Sequence, residues 1–302
     1  METRQVSLVD AFTAEPLTGN PAGVVTDADG LTDDQMRAIA SELGASETAF
    51  VVDSDDADRR LRFFTPEQEV DLCGHATIGA HAALFERGVV ETGQHTMATE
   101  RGVLDVETKA DGTVWMDHGS VDLREVDLGH ETAADALGVD VATLRDVGAD
   151  LPMAVGDSGF PWLLVPVNYF EHLSGAAPDM AAIAAMCESV DAMGVYAFTF
   201  DTIAGESTLH ARAFAPRAGI TEDPVTGTGA AACGAFIRRH GAIDETVEQV
   251  VVEQGHFIDR PGTVKVDTDG SDVWVGGRGV TTMDGTLTVP AADDDEDGII
   301  EA

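Results

Sequence analysis

Lysine is nearly missing from this 302-residue sequence: Lys109 and Lys265 are the only two. Basic residues total 17 against 55 acidic ones, a formal net charge of −38 with histidine neutral. Such a surface repels DNA, RNA and anionic lipid, so neither nucleic acid nor a membrane surface is an expected partner. The same charges repel one another and destabilise the compact state in dilute buffer. Salt relieves that repulsion, because the Debye length falls to about 3 Å at 1 M. The composition therefore reads as adaptation to a salty cytosol, a halophilic signature, rather than as a binding surface.

Cysteine is scarce as well. Cys73, Cys187 and Cys233 stand far apart, with no Cys-x-x-Cys and no even set, which excludes a disulfide framework. No His-x-x-x-His or cysteine–histidine cluster has ligand spacing, so no metal site is expected. No apolar run reaches the roughly 18 residues that cross a membrane. Met1–Asp10 reads as a strand carrying Glu2, Arg4 and Asp10, not as an apolar secretory core. A cytoplasmic location is the expectation. Apolar material is ample: 44% of residues are hydrophobic, enough for a folded core in one large domain or two ordinary ones.

The chain repeats itself once. Arg62-x-Phe64-x-Pro66 matches Arg212-x-Phe214-x-Pro216 at an offset of 150, and Cys73-Gly74-His75-Ala76 matches Thr226-Gly227-Thr228-Gly229 at 153. One three-residue insertion reconciles the two offsets, and Arg87-Gly88 then matches His240-Gly241 as a helix ending. A period near 150 residues means a duplicated half, not a solenoid. In each half a short aromatic strand (Leu61–Phe64, His210–Phe214) stops at a proline. A loop with acids follows: Glu67, Glu69 and Asp71 in one half, Glu222 and Asp223 in the other. A glycine turn then opens a helix, Ala76–Arg87 or Gly229–Arg239, whose residues are small or apolar nearly all round. Helices of that composition are buried, here inside wrapping sheets. Further strands are expected at Val6–Phe12, Thr48–Val52, Thr96–Thr99, Val103–Thr108, Thr113–Asp117, Trp162–Val167, Gly194–Phe200, Val247–Glu253, Thr263–Asp267, Asp272–Arg278 and Gly285–Val289. Outer helices are expected at Thr32–Leu43, Thr132–Leu137 and Ala177–Cys187. The fold class is α+β, with halves at 1–120 and 121–290, joined near 118–130, and a solvated acidic tail at 291–302.

The first N–H groups of a helix lack partners within it, and with the helix dipole they form an anion site. Gly74 and Gly227 let a ligand approach that backbone closely. A lone glycine would mean only a tight turn; a duplicated one flanked by acids points to a carboxylate clamp. His75 and Thr228 follow the two glycines, Asp223 precedes the second turn, and Glu47 sits among small residues in ASETAFV. Imidazole and a half-buried carboxylate are suited to moving protons near neutral pH. Gly227-Thr228-Gly229-x-x-Ala232 also fits a loose dinucleotide fingerprint. However, Glu222-Asp223-Pro224 is not expected to be a strand, no clean βαβ unit follows and the Walker lysine is absent, so no nucleotide cofactor is expected.

The segments DAFTAEPLTGNPAGVV, ASETAFV, FTPEQEVDLCGHATIGA, EDPVTGTGAAA and EQGHFIDRPG, spread from about residue 6 to 266, together resemble the phenazine biosynthesis PhzF-like family. That resemblance implies the diaminopimelate epimerase-like fold: two pseudo-symmetric halves, each a β-barrel-like sheet around a central helix, with the active site between them. It also implies a homodimer and cofactor-independent proton transfer on a small anionic metabolite. In the phenazine enzyme a glutamate moves a proton between carbons of trans-2,3-dihydro-3-hydroxyanthranilate. That glutamate matches Glu47, with His75 and Asp223 as the further catalytic positions. Gly74, Cys73, Gly227 and Thr228 match the substrate-binding turns, Thr228 standing where the family has serine. Racemases of this fold use two cysteines, one before each glycine turn. Here the positions are Cys73 and Thr226, which argues against a two-thiol reaction; Cys233 lies about two helical turns too far along. Two other readings stay open, an amino-acid epimerase using Cys73 with another partner and a ligand-binding protein that kept the fold without the reaction.

The charge balance generates the first prediction. A salt titration of the melting temperature is expected to show a rise from dilute buffer to molar KCl; a flat or falling curve would refute the halophilic reading.

Overall fold

The computed structural model describes residues 2–145, 147, 150–244, 246–268, 270 and 272–291; from residue 292 on, the expected acidic tail lies outside the described residues. Two helices organise everything else. Gly74–Glu86 and Gly227–Arg239 are each 13 residues long and start 153 residues apart, the offset of the repeated glycine turns. Each ends at a glycine with positive φ, Gly88 at 67° and Gly241 at 61°. In the first helix every residue from Ala76 to Leu84 is buried; in the second, Gly229–Gly234, Phe236 and Ile237 are. A helix buried on all sides must be wrapped, and the strands do that.

The wrapping has one plan used twice. In the first half Asn20–Val25 runs parallel to Thr48–Val52, which pairs antiparallel with Arg59–Phe64, which in turn runs parallel to Gly93–Thr99. In the second half Trp162–Pro166, Gly194–Thr199, Leu209–Ala215 and Gln249–Gln254 repeat this order and these directions. The two sheets join where Val114–Asp117 pairs antiparallel with Trp274–Gly277. The final strand Gly279–Val289 does not stay beside its sequence neighbours. It returns to pair along Glu2–Ala11, so the last strand of the chain closes the first sheet. The corresponding place in the second sheet is filled by Asp122–Glu125 against Ala154–Asp157.

Register makes the repeat quantitative. Phe50 faces Arg62 across one strand pair and Ala197 faces Arg212 across its counterpart. Arg62 donates from Nε and Nη2 to the two oxygens of Glu69, at 2.8 and 2.7 Å, and its guanidinium lies 5.1 Å from the Phe64 ring centroid. Arg212 grips Glu222 in the same two-toothed way, at 2.9 and 2.8 Å, and sits 4.9 Å from Phe214. The arginines are 150 residues apart and the glutamates 153, which places the three-residue insertion between Pro216 and Glu222. Compensation is visible too. A Cβ on Gly229 would come within 2.3 Å of the buried Tyr196 ring. The matching residues of the first half are Ala76 and Ala49, so one half packs two small side chains where the other packs glycine against tyrosine.

Most expected elements form within two or three residues of their expected bounds. The outer helices run Asp33–Leu43, His130–Leu137 and Met180–Ser189, capped by Thr32, Gly129 and Asp179. Five short strands were not expected: Asn20–Val25, Glu69–Val70, Asp122–Glu125, Ala154–Asp157 and Ile220–Asp223. Ile220–Asp223 corrects the reading that Glu222-Asp223 is not in a strand. It pairs antiparallel with Leu209–Ala215 across an irregular register, a hairpin rather than the parallel unit that dinucleotides require. Asp122–Glu125 lies inside the segment expected to join the halves; mostly exposed, it shows no alternation of polarity to read. The short helix Phe170–Ser174 was also unforeseen. No helix among the described residues is long and apolar enough to cross a membrane.

His81 lies in the middle of the first core helix, 2% exposed. Burial, and then the positive charge of neighbouring His95 and Arg59, pushes it down to about 3. The unfolded chain takes up this proton near pH 6.5, while the folded chain refuses it until about pH 3. The stability that neutral His81 contributes is therefore intact above about pH 6.5 and lost progressively as pH falls to about 3. His81→Leu is expected to flatten the melting temperature against pH across that window; an unchanged slope would refute the assignment.

Candidate active site

Both core helices begin without a side-chain cap. Cys73 and Thr226 occupy the cap positions in extended backbone, neither accepts a hydrogen bond from the first turn, and neither first turn holds an acid. Threonine caps helices readily. Thr226 is diverted: its hydroxyl donates to Asp223 Oδ2 at 2.5 Å, and Gln254 Nε2 donates to the same hydroxyl at 2.9 Å. The first-turn N–H groups are thus left for a ligand. Both starts line one cavity of about 630 Å³ between the halves, within the range of small-molecule sites.

All seven residues expected at the site line this cavity: Glu47, Cys73, Gly74, His75, Asp223, Gly227 and Thr228. Glu47 ends the approach to the strand Thr48–Val52, and its carbonyl accepts from Gly23 N at 3.0 Å, so parallel strand pairing fixes its backbone. Its Oε2 lies 3.4 Å from His75 Nε2; the two side chains are 22% and 13% exposed. Asp223 is deeper. Burial raises its carboxyl above the ordinary value, although the Thr226 hydroxyl bond opposes this. Its Oδ1 accepts from Asn20 Nδ2 at 2.9 Å, and the same amide donates to Val225 O at 2.8 Å. Asn20 comes from the first half and Asp223 from the second, so this contact ties the halves together at the floor of the site.

The pseudo-symmetry shows what the second half lacks. Counting back from Phe50 and Ala197 along their strands, Glu47 corresponds to Gly194. A Cβ there would lie 2.6 Å from Trp162, whose ring occupies the space a second acid would need. His75 corresponds to Thr228, whose hydroxyl accepts from Trp162 Nε1 at 2.8 Å. One half therefore presents a glutamate–histidine pair, and the other a tryptophan–threonine pair in the same place. The two helix starts are alike, but the glutamate–histidine pair stands on one side of the cleft only.

Cys73 packs between these groups, with Sγ 3.3 Å from His75 Nδ1. Burial, then the negative charge of Glu47, pushes its thiol well above the usual range. A protonated thiol is a poor base or nucleophile. Ligand atoms of Glu47, Cys73 and His75 lie within 4.8 Å of one another, a set able to hold a metal ion. Sequence spacing did not show this set because Glu47 arrives from a distant strand. A bound cation would deprotonate the thiol and occupy the acid/base pair.

Sequence reasoning missed Asn20, Arg101, His118, Ser158 and Trp162, which also line the cavity. Asn20 and Trp162 belong to matching strands that enter the cleft, so tracing the repeat past the glycine turns could have found them. Arg101 and His118 come from ends of hairpin strands whose local sequence carries no signal.

Two wrapped helices closing on a shared cleft are the diaminopimelate epimerase-like architecture, and comparison with known proteins agrees. A hydroxyproline epimerase from Agrobacterium vitis, solved with trans-4-hydroxy-L-proline bound, shares the fold alone, with a TM-score of 0.60 at 13% identity over 94% of this chain and 92% of that one. The family model for phenazine biosynthesis-like proteins matches residues 9–285. The chain is 35% identical over 291 residues to the uncharacterized isomerase YfhB of Bacillus subtilis (strain 168), covering 95% of this chain and 96% of that protein. The crystal structure of a PhzF-family phenazine biosynthesis protein from Bacillus anthracis superposes with a TM-score of 0.86 at 32% identity, over 95% of this chain and 100% of that one. The chain belongs to the PhzF family.

The buried thiol is open to test. Alkylation of Cys73 by iodoacetamide is expected to be slow at pH 7 and to accelerate only above pH 9, the ordinary thiol value. Rapid labelling at neutral pH would show a thiolate and reopen a role for Cys73 as a base.

Proposed function

We propose that this protein is a PhzF-like isomerase that moves a proton between carbons of a small carboxylate-bearing substrate, with Glu47 as the acid/base. The observation that carries the reading is the one-sided pair, Glu47 Oε2 3.4 Å from His75 Nε2, above two uncapped helix starts. The Glu47 carboxylate takes a proton from a substrate carbon. The electron pair left behind delocalises toward the substrate carboxylate, whose growing charge is met by N–H groups at Gly74, Gly227 and Thr228. Protonated Glu47 then returns the proton to a different carbon, so nothing is oxidised or reduced. His75, its Nε2 3.4 Å from Glu47 Oε2, is placed to steady that carboxylate and to contact the substrate, and Asp223, with its raised carboxyl, anchors a polar group at the floor. No step calls for a cofactor or metal. A reaction of the two-thiol kind is disfavoured by Thr226 opposite Cys73 and by the protonated state of that thiol.

The test is solvent isotope exchange. With a panel of small cyclic and acyclic carboxylates in D2O, the native protein is expected to incorporate deuterium into one of them, with or without exhaustive chelation. Glu47→Gln should lower that rate about 10²–10⁴-fold, the usual contribution of a general acid/base, with the melting temperature unchanged. Exchange that survives Glu47→Gln would sink the mechanism. Binding with no exchange in the native protein would favour the ligand-binding alternative.

A further inference from the structure

Cations are scarce in this chain and almost all are engaged. Of the 17 basic residues, nine are ion-paired. Four more donate to backbone carbonyls. Arg59, Arg101, Lys265 and Arg278 remain, without a hydrogen-bonded acid or carbonyl partner among the described residues. Lys265 and Arg278 line a separate cavity together with Glu15, Glu206 and Glu253. Arg59 lies near Asp58 and the buried His81. Only Arg101 faces the main cleft.

Its setting is specific. Arg101 sits at the tip of the hairpin formed by Gly93–Thr99 and Gly102–Thr108, where its N–H donates to Thr99 Oγ1 at 3.2 Å. The side chain reaches across to the second half and lies directly on Gly159, where a Cβ would stand 1.8 Å from Nη1. Glycine at that position, with φ at 108°, makes room for the guanidinium. Beside it, Ser158 Oγ and His118 Nε2 are 2.9 Å apart. His118 Nδ1 is buried and has no partner. Burial and then the charge of Arg101 push His118 down to about 4, so it is neutral and does not add to the positive charge. The acids of the cleft are engaged elsewhere: Glu47 with His75, Glu222 with Arg212, and Asp223 with Asn20 and Thr226. A guanidinium with no acid partner among the described residues, beside a hydroxyl and a neutral imidazole, is matched by an oxyanion.

We propose that Arg101, with Ser158 and His118, is a second anion subsite, so that the substrate carries two acidic groups: one carboxylate at the paired helix starts and a second carboxylate or similar oxyanion on Arg101. This rests on the reading of the helix starts as a carboxylate clamp and narrows its substrate class to small dianions.

The experiment compares acids that differ only by the second carboxylate: butyrate with succinate, valerate with glutarate and hexanoate with adipate. Binding is measured calorimetrically in 1 M KCl, where the general repulsion of a dianion is screened. At one chain length at least, the diacid is expected to bind the native protein about tenfold or more tightly than its monoacid, the gain of one charge-assisted contact. Arg101→Gln should erase that gain and leave monoacid affinity within about twofold, and Arg101→Lys should restore part of it. No diacid preference at any length, or a preference that survives Arg101→Gln, would overturn the subsite. Glu47→Gln separates the two ideas: it should keep the diacid preference while losing isotope exchange. Exchange unaffected by Glu47→Gln would refute Glu47 as the acid/base and leave the subsite standing.

Discussion

Two helices that are apolar on every side are the constraint on which the structure depends. Such a helix has no face to offer water, so each must be enclosed. At about 1.5–3 kcal/mol for each large apolar side chain removed from water, leaving Ile78, Leu84, Phe236 and Ile237 exposed would cost about 6–12 kcal/mol, comparable to the whole stability of a typical domain. Enclosure settles the sides of the helices but not their ends. The C-terminal ends turn out through glycines of positive φ. The N-terminal ends stay inside, uncapped, and open on the cleft between the two sheets. A ligand site follows from the enclosure before any catalytic residue is considered.

Chemistry comes from departures from that symmetric frame. At four matched positions the halves differ in kind: Glu47 against Gly194, His75 against Thr228, Cys73 against Thr226, and Val70 against Asp223. Each difference is structurally compensated. Gly194 leaves room for Trp162, which then donates to Thr228. Thr226 serves Asp223 instead of its own helix. The scaffold pair Arg62–Glu69 and Arg212–Glu222 has by contrast stayed the same in both halves, down to the aromatic ring beneath each guanidinium. The residues that hold the fold are duplicated, and those proposed to do chemistry occur once. A glutamate on one side of a clamp suits transfer of a proton between carbons on one face better than inversion between two bases.

Legibility in the sequence followed the same division. The core helices, their glycine ends and the repeated arginine were readable because composition and spacing carry them locally. The pairing of Gly279–Val289 with Glu2–Ala11 was not, since nothing within either segment names its partner. Short strands such as Glu69–Val70 and Ile220–Asp223 were missed because only a residue or two of each is paired, too few for a period of two to show. Among the residues that line the cleft, those beside a glycine turn were legible through the repeat and Glu47 through its small neighbours. Arg101 was not legible, because its placement depends on Gly159 opposite it, 58 residues away in a different half.

On a protein of net charge −38 an anion approaching the cleft would meet an electrostatic problem, and the answer lies in range. In dilute solution, at 0.01 M salt, the surface field reaches about 30 Å, but at 1 M it dies within about 3 Å. A hydrogen bond operates at about 2.9 Å. In concentrated salt an incoming carboxylate is therefore governed by the groups it touches, not by the distant acids. Within the cleft those groups would be the helix-start N–H donors and Arg101, which has no acid partner among the described residues. The many acids of the chain and the few positive groups in the cleft act over different distances, which allows one chain to carry both.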